Sequence, residues 1–241
     1  MKKQVLDYIK ANSKFLQKKE DKCIIEFKGR CVIKYGTDQS ILYENKVHDY
    51  LLNKFPTEYK LYFATKIEFF VDNENSYLVT ERCAKTLDDL MDESKNKKST
   101  MANIVGQLHI ILSFLEQNKM SHNDLFTNNI VIDNNNCLKL IDLETFCAYN
   151  ELIAPQVISA DANERKRIGW SKTFTIGSDA NQIFGTLFDE YVDYAPQSIC
   201  SRIIKIEKEF PYAINFENMS LQSKELSQEV VTFGKPKKNV K

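Results

Sequence analysis

The chain has 241 residues, enough for one sizeable core or two small lobes, and its hydrophobic (43%) and charged (27%) fractions suit a folded globular protein. Lysine plus arginine balances aspartate plus glutamate at 33 each, which excludes the global cationic field that draws in nucleic acid. Six scattered cysteines without a CxxC pair, and only three histidines, disfavour a zinc site or a disulfide framework, so reduced thiols in a cytoplasmic setting are expected. Met1-Lys2-Lys3 opens no signal peptide, and no run of about 18 apolar residues marks a membrane span.

In chain order, KFLQK (14–18), CIIEFK (23–28) and RCVIKY (30–35) predict three short strands, parted by KEDK and a tight Lys28-Gly29-Arg30 turn. In SILYENKVHDYLLNKF (40–55) the period changes. Ile41, Leu42, Val47, Tyr50, Leu51 and Phe55 recur at three-and-four spacing, which predicts an amphipathic helix stopped by Pro56. KIEFFVD (66–72) and SYLVTERC (76–83) predict two more strands around a DNEN turn, giving a small antiparallel sheet with one helix laid against it.

From residue 84 the pattern turns helical. TLDDLMDES predicts a short helix, the lysine-rich 94–98 a loop, and MANIVGQLHIILSFLEQNKM (101–120) a buried helix. The polar loop SHNDLFTNN (121–129) follows, and NIVIDNNNCLKLIDLE predicts two short strands around an Asn-rich turn. Residues 145–176 read as irregular, 178–192 and 198–209 as helices, and the stretch ending in KPKKNVK as a frayed tail. The expected architecture is α+β: a single domain over 1–241 with a β-rich lobe (13–83), a mainly α-helical lobe (84–210), a tail (211–241) and a cleft between the lobes.

CVIK (31–34), Glu44 on the helix, HNDLFTNN (122–129), DLE (142–144) and SDANQIFG, in that order, resemble the eukaryotic-type protein kinase superfamily over residues 13–192. Taken singly the motifs are weak. HNDLFTNN reads equally as an Asx-type turn, Lys34 as a snorkelling strand lysine and Glu44 as a solvated helix face. Their joint order carries the resemblance, which implies a bilobal protein-kinase-like fold with a truncated helical lobe. In its compact, divergent form the chain also resembles kinases of large DNA viruses.

The resemblance also implies roles, with ATP and Mg2+ as cofactors. Phosphoryl transfer needs positioning and charge neutralisation more than covalent chemistry by the protein. Asp124 would orient and deprotonate the incoming hydroxyl, while Asn129 and Asp142 would hold metal ions. Lys34 would grip the α- and β-phosphates, fixed by an ion pair with Glu44. Val32 and Val131 would enclose the adenine, and the backbone from Glu81 to Cys83 would bond its edge. Asp179 would tie down the backbone of the 122–129 loop. His48, His122 and Leu143 would stack in an apolar column, although His48 reads equally as a plain helix-face histidine.

Four departures from the family pattern bear on activity. QKKEDK carries no glycine where the family has a glycine-rich loop. Lys18 or Lys19 could contact phosphate there, but a solvated charged turn is the preferred reading. Asn123 replaces an arginine, which predicts no switching by activation-segment phosphorylation. Phe126 replaces a lysine that serves the γ-phosphate, which predicts a lower rate. Glu144 replaces a glycine, and either adds a metal ligand or reduces the freedom of the turn. The segment 145–176 also lacks an APE motif.

The resulting expectation is a serine/threonine protein kinase acting on a protein substrate, without membrane or nucleic-acid partners. Its setting would be cytoplasmic, or host cytoplasm or virion if the protein is viral. The alternatives are a small-molecule kinase of the choline or aminoglycoside type, suggested by HND and IDxE, and a pseudokinase acting as a binding scaffold.

Overall fold

The computed structural model describes residues 1–12, 15–148 and 151–155, together with Asp179, Gln182, Ile183, Thr186 and Leu187. The five later residues are helical, as expected for 178–192, whereas Gly185, the helix expected at 198–209 and the tail from 211 lie outside the described residues. Two compact units result. One is Met1–Lys85 with Val131–Glu144; the other holds Thr86–Ile130 and the described residues from Thr145 onward. The hairpin strands at 131–144 thus group with the first 85 residues, and not with the later segment in which the sequence division had them.

The first unit begins with a helix that the sequence reading did not anticipate, α1 (Lys2–Ala11). Strands β1 (Gln17–Lys18), β2 (Lys22–Phe27) and β3 (Cys31–Gly36) follow. Then come α2 (Gln39–Lys54), α3 (Pro56–Tyr62), β4 (Lys66–Asp72) and β5 (Asn75–Glu81). The sheet is antiparallel, in the order β1-β2-β3-β5-β4. The β2–β3 and β4–β5 hairpins use turns with two successive positive-φ residues, Lys28 (53°) with Gly29 (69°) and Asn73 (47°) with Glu74 (69°). Such turns match the right-handed twist of the flanking strands.

Register sorts the side chains between the two faces. Ile25 opposite Ile33 and Ile33 opposite Val79, with Tyr35 opposite Tyr77, share one face. Val32, Lys34, Leu78 and Lys22 alternate onto the other. Helix α1 covers the first face: Val5 is fully buried against Phe27, Ile33, Tyr77 and Val79, and Tyr8 stands edge-on to Phe27 at 4.9 Å. Helix α2 packs on β3, β4 and β5 and buries Ile41, Glu44, Val47, His48 and Leu51. Asp38 caps it by accepting from Ser40 N–H at 2.8 Å.

Pro56 does more than end α2. It occupies the first turn of α3, where its missing N–H costs nothing. Phe63 and Ala64 then meet the hairpin of β8 (Ile130–Ile132) and β9 (Leu138–Leu140) through Ala64 N–H to Leu140 O, 3.0 Å. Asp133 shapes the Asn-rich turn by accepting from the N–H groups of Asn135 (2.8 Å) and Cys137 (2.9 Å). The two-residue β6 (Lys85–Thr86) lies beside β8 in the order β6-β8-β9.

The second unit contains α4 (Leu87–Glu93), opened by a Thr86–Asp89 capping box, and α5 (Lys97–Gln117). Helix α5 starts inside the lysine-rich stretch read as a loop, because Asn96 caps it by accepting from Ser99 N–H at 3.2 Å. It buries Met101, Ile104, Val105, Leu108, Ile111, Leu112 and Leu115 at helical spacing. Strand β7 (Met120–Ser121) pairs with β10 (Cys147–Ala148), and Thr127–Asn129 forms a 3-10 turn. Among the described residues, no helix is long and apolar enough to cross a membrane.

Candidate active site

In the first unit, β3 presents Lys34 to α2. Its Nζ lies 2.5 Å from Glu44 Oε2 and 2.7 Å from Asp142 Oδ1, with Lys34 7% and Glu44 3% exposed. Burial alone would pull the lysine down, but the carboxylates of Asp142, Glu44 and Glu144 outweigh it and hold Lys34 above its ordinary value. Burial, reinforced by Asp142, pushes Glu44 up against the opposing pull of Lys34. The charge on Lys34 is thereby secured across the physiological range.

The turn beyond β9 is held residue by residue. Asp142, at φ 60°, reaches Lys34. Leu143 N–H donates to Glu44 Oε1 at 3.2 Å. Glu144 accepts from Lys22 Nζ and, at 3.0 Å, from Ser40 Oγ, while Lys22 Nζ lies 3.7 Å from Asp38. One carboxylate oxygen each from Glu44, Asp142 and Glu144 falls within 4.8 Å of the others. Hard oxygen donors of this kind suit Mg2+, and the adjacent Lys34 suits a phosphate, so the residues present fit a magnesium–nucleotide pair.

The other residues assigned to nucleotide binding also fall in this unit. Val32 shares the sheet face of Lys34, and Val131 is buried on β8. The Glu81 side chain is committed to structure: it accepts from Thr65 N–H (2.8 Å), Thr65 Oγ1 (2.6 Å) and Lys139 Nζ (2.7 Å). Although burial opposes it, these donors, Lys139 first, hold Glu81 below its usual range. Burial raises the Cys83 thiol to about 11, so it is no thiolate at neutral pH. His48 is no solvent-facing helix residue. It is 2% exposed, its Nδ1 lies 2.9 Å from Tyr59 Oη, and burial drives its pKa down to about 3. Lys18 and Lys19 are exposed, in keeping with a solvated turn.

In the second unit the 122–129 loop is a hydrogen-bonded scaffold. Asp179, 1% exposed, accepts from the N–H groups of His122 and Asn123, each at 2.7 Å, so the expectation that it ties down the loop backbone holds. Burial raises its pKa, opposed by His122 and those two backbone donors. Gln182, one turn later, accepts from Leu125 N–H at 2.9 Å and donates to Asn123 O at 3.1 Å. Thr145 Oγ1 donates to His122 O at 2.8 Å. Asn123 adopts φ 65° and donates from its own amide to Thr145 O at 3.0 Å. The loop thereby holds Asp124 where Asn129 Nδ2 donates both to its carbonyl (2.7 Å) and to its Oδ2 (2.8 Å).

The structure therefore brings Lys34, Glu44 and Asp142 together in one unit and Asp124 with Asn129 in the other. Lys22, Ser40, Gln182 and Thr145 were missed by sequence reasoning. Only Gln182 carried a signal, through its helical offset from Asp179.

Comparison with known proteins follows the same lines. The family model for the protein kinase domain matches residues 34–166, more than half of the chain. Protein kinase kin1 of Schizosaccharomyces pombe is 28% identical over 113 residues, which cover 41% of this chain and 13% of that protein. The match thus spans a small fraction of the relative's length.

Proposed function

The chain belongs to the protein kinase domain family, and from that premise we propose that it transfers the γ-phosphate of ATP to a serine or threonine hydroxyl of a protein substrate, with Mg2+. The observation that carries the reading is Lys34 held at once by Glu44 (2.5 Å) and Asp142 (2.7 Å), an arrangement with no purpose in a bare structural core. Burying a lysine and two carboxylates costs desolvation that packed apolar residues would avoid.

In this reading Lys34 binds the α- and β-phosphates and Glu44 keeps its ammonium aimed. Asp142 and the Asn129 side-chain oxygen are the metal ligands, with Glu144 adjacent to Asp142. When bound, Mg2+ supplies neutralisation of phosphate charge. Asp124 accepts the proton of the attacking hydroxyl, its carboxylate steered by the Asn129 amide. Val32 and Val131 flank the adenine. Of the connecting backbone, Glu81 N–H is used by Thr65 O (2.9 Å) and Arg82 N–H by Arg30 O (3.0 Å), so Cys83 supplies the donor to the base edge.

Purified protein with labelled ATP, Mg2+ and generic protein acceptors tests the proposal. Incorporation into phosphoserine or phosphothreonine that vanishes in Asp124→Ala is the expected result. No transfer to any acceptor, the chain itself included, overturns it. ATP consumption stimulated by an amino-alcohol or sugar, and by no protein, would point instead to the small-molecule kinase reading.

A further inference from the structure

Glu144 stands where the family pattern places a glycine, and the structure shows what it does there. Three consecutive residues of the turn are each tied to a different part of the same unit. Asp142 is tied to Lys34 on β3, Leu143 N–H to Glu44 on α2, and Glu144 to Lys22 on β2 and Ser40 in the first turn of α2. Lys22 and Lys34 lie on one sheet face, since Lys22 pairs with Gly36 and Ile24 with Lys34. The Lys22 side chain is 5% exposed, a desolvated cation that the usual surface lysine is not. Its second carboxylate partner, Asp38, is the residue that caps α2.

We propose that Glu144 is a positioning residue: with Lys22 as counter-ion and Ser40 as hydrogen-bond donor, it pins the turn that carries Asp142 against β3 and α2. The proposal rests on the phosphotransferase reading for its consequence, because a fixed Asp142 matters only where Asp142 holds the metal. A glycine would let the turn swing away from Lys34, whereas the Lys22–Glu144 pair removes that freedom. The Asp142 segment is then held in place by the fold itself, without a phosphorylated residue to lock it. Lys22 and Ser40 both engage Glu144 Oε2, so that oxygen is committed to the anchor.

Amide hydrogen exchange and steady-state kinetics on the full chain decide the matter, comparing Glu144→Ala, Glu144→Gln, Lys22→Ala, Lys22→Arg and the Lys22→Ala/Glu144→Ala pair. Exchange at Leu143 N–H should quicken about tenfold or more in Glu144→Ala and in Lys22→Ala, because the local opening becomes easier. Transfer should slow in both by roughly tenfold to a hundredfold, as small misplacements do. Lys22→Arg should stay near wild type in both readouts, Glu144→Gln should fall between, and the double variant should be no worse than either single one. Unaltered exchange in Glu144→Ala overturns the proposal. So does a raised Mg2+ requirement in Glu144→Gln alongside a wild-type Lys22→Ala, which would make Glu144 a metal ligand. If the wild-type chain transfers no phosphate the kinase reading fails, while the exchange measurements still decide what Glu144 holds.

Discussion

At the scale of single residues, the site depends on polar groups buried with their partners. Gln182 illustrates the energetics: its Oε1 satisfies the buried Leu125 N–H at 2.9 Å, and its amide returns to Asn123 O at 3.1 Å. Gln182→Ala would strand a backbone donor in a region that water does not reach. Its expected cost is about 1–3 kcal/mol of unfolding free energy in a denaturant titration, with slower transfer because Asp124 loses its frame. Asp124 and Asp142 stand out in the sequence because their neighbours in the chain are part of the motif. Lys22 and Ser40 do not: they are polar residues in unremarkable surroundings until the fold sets Glu144 beside them.

At the scale of elements, the strands were legible because β-branched and aromatic residues cluster between turn residues; β4 covers the stretch expected, 66–72. Helix α1 was not, because a ten-residue helix is marginal on its own and is held by the sheet face it covers. Val5, fully buried there, gives the test: Val5→Ala should cost about 1–3 kcal/mol in the same titration, an effect that a frayed terminus would not show. Gly36 closes β3 at φ 146°, and a Cβ there would lie 2.0 Å from Asp21 O. Gly36→Ala should cost at least about 2 kcal/mol, read as a lowered thermal midpoint, since the backbone of the preceding turn must move. That turn also delivers Lys22 to Glu144, so transfer should fall with it.

At the scale of the whole molecule, two global measurements report on the buried charges. His48, neutral and driven down to about 3, takes up its proton in the unfolded chain near the ordinary histidine value of 6.5 and in the folded chain only far below it. Stability from this group is therefore present above pH 6.5 and is lost as pH falls toward 3, with a slope approaching about 1.4 kcal/mol per pH unit. Glu44 and Asp179, both raised, act in the opposite sense: their contribution is present at low pH and is lost as pH rises through their folded values. Denaturation of wild type beside His48→Gln at several pH values isolates the histidine, and the variant should show the flatter acid limb. For the nucleotide site, Mg-ATP at a hundred times its Kd should add about 2.7 kcal/mol to stability, seen as a raised melting midpoint, and Lys34→Met should abolish the shift.

The sequence by itself determined the order of β2 to β5 with α2 among them, and it nominated Lys34, Glu44, Asp124, Asn129 and Asp142 for the proposed chemistry, because both are written in local pattern and spacing. Only the tertiary structure decided what supports them. The covering of the sheet by α1, the scaffold of Asp179 and Gln182 under the 122–129 loop, and the Lys22–Ser40 anchor on Glu144 all join residues far apart in the chain. Such contacts leave no period in the sequence, since burial and pairing across an interior depend on where distant segments meet and not on what lies beside them.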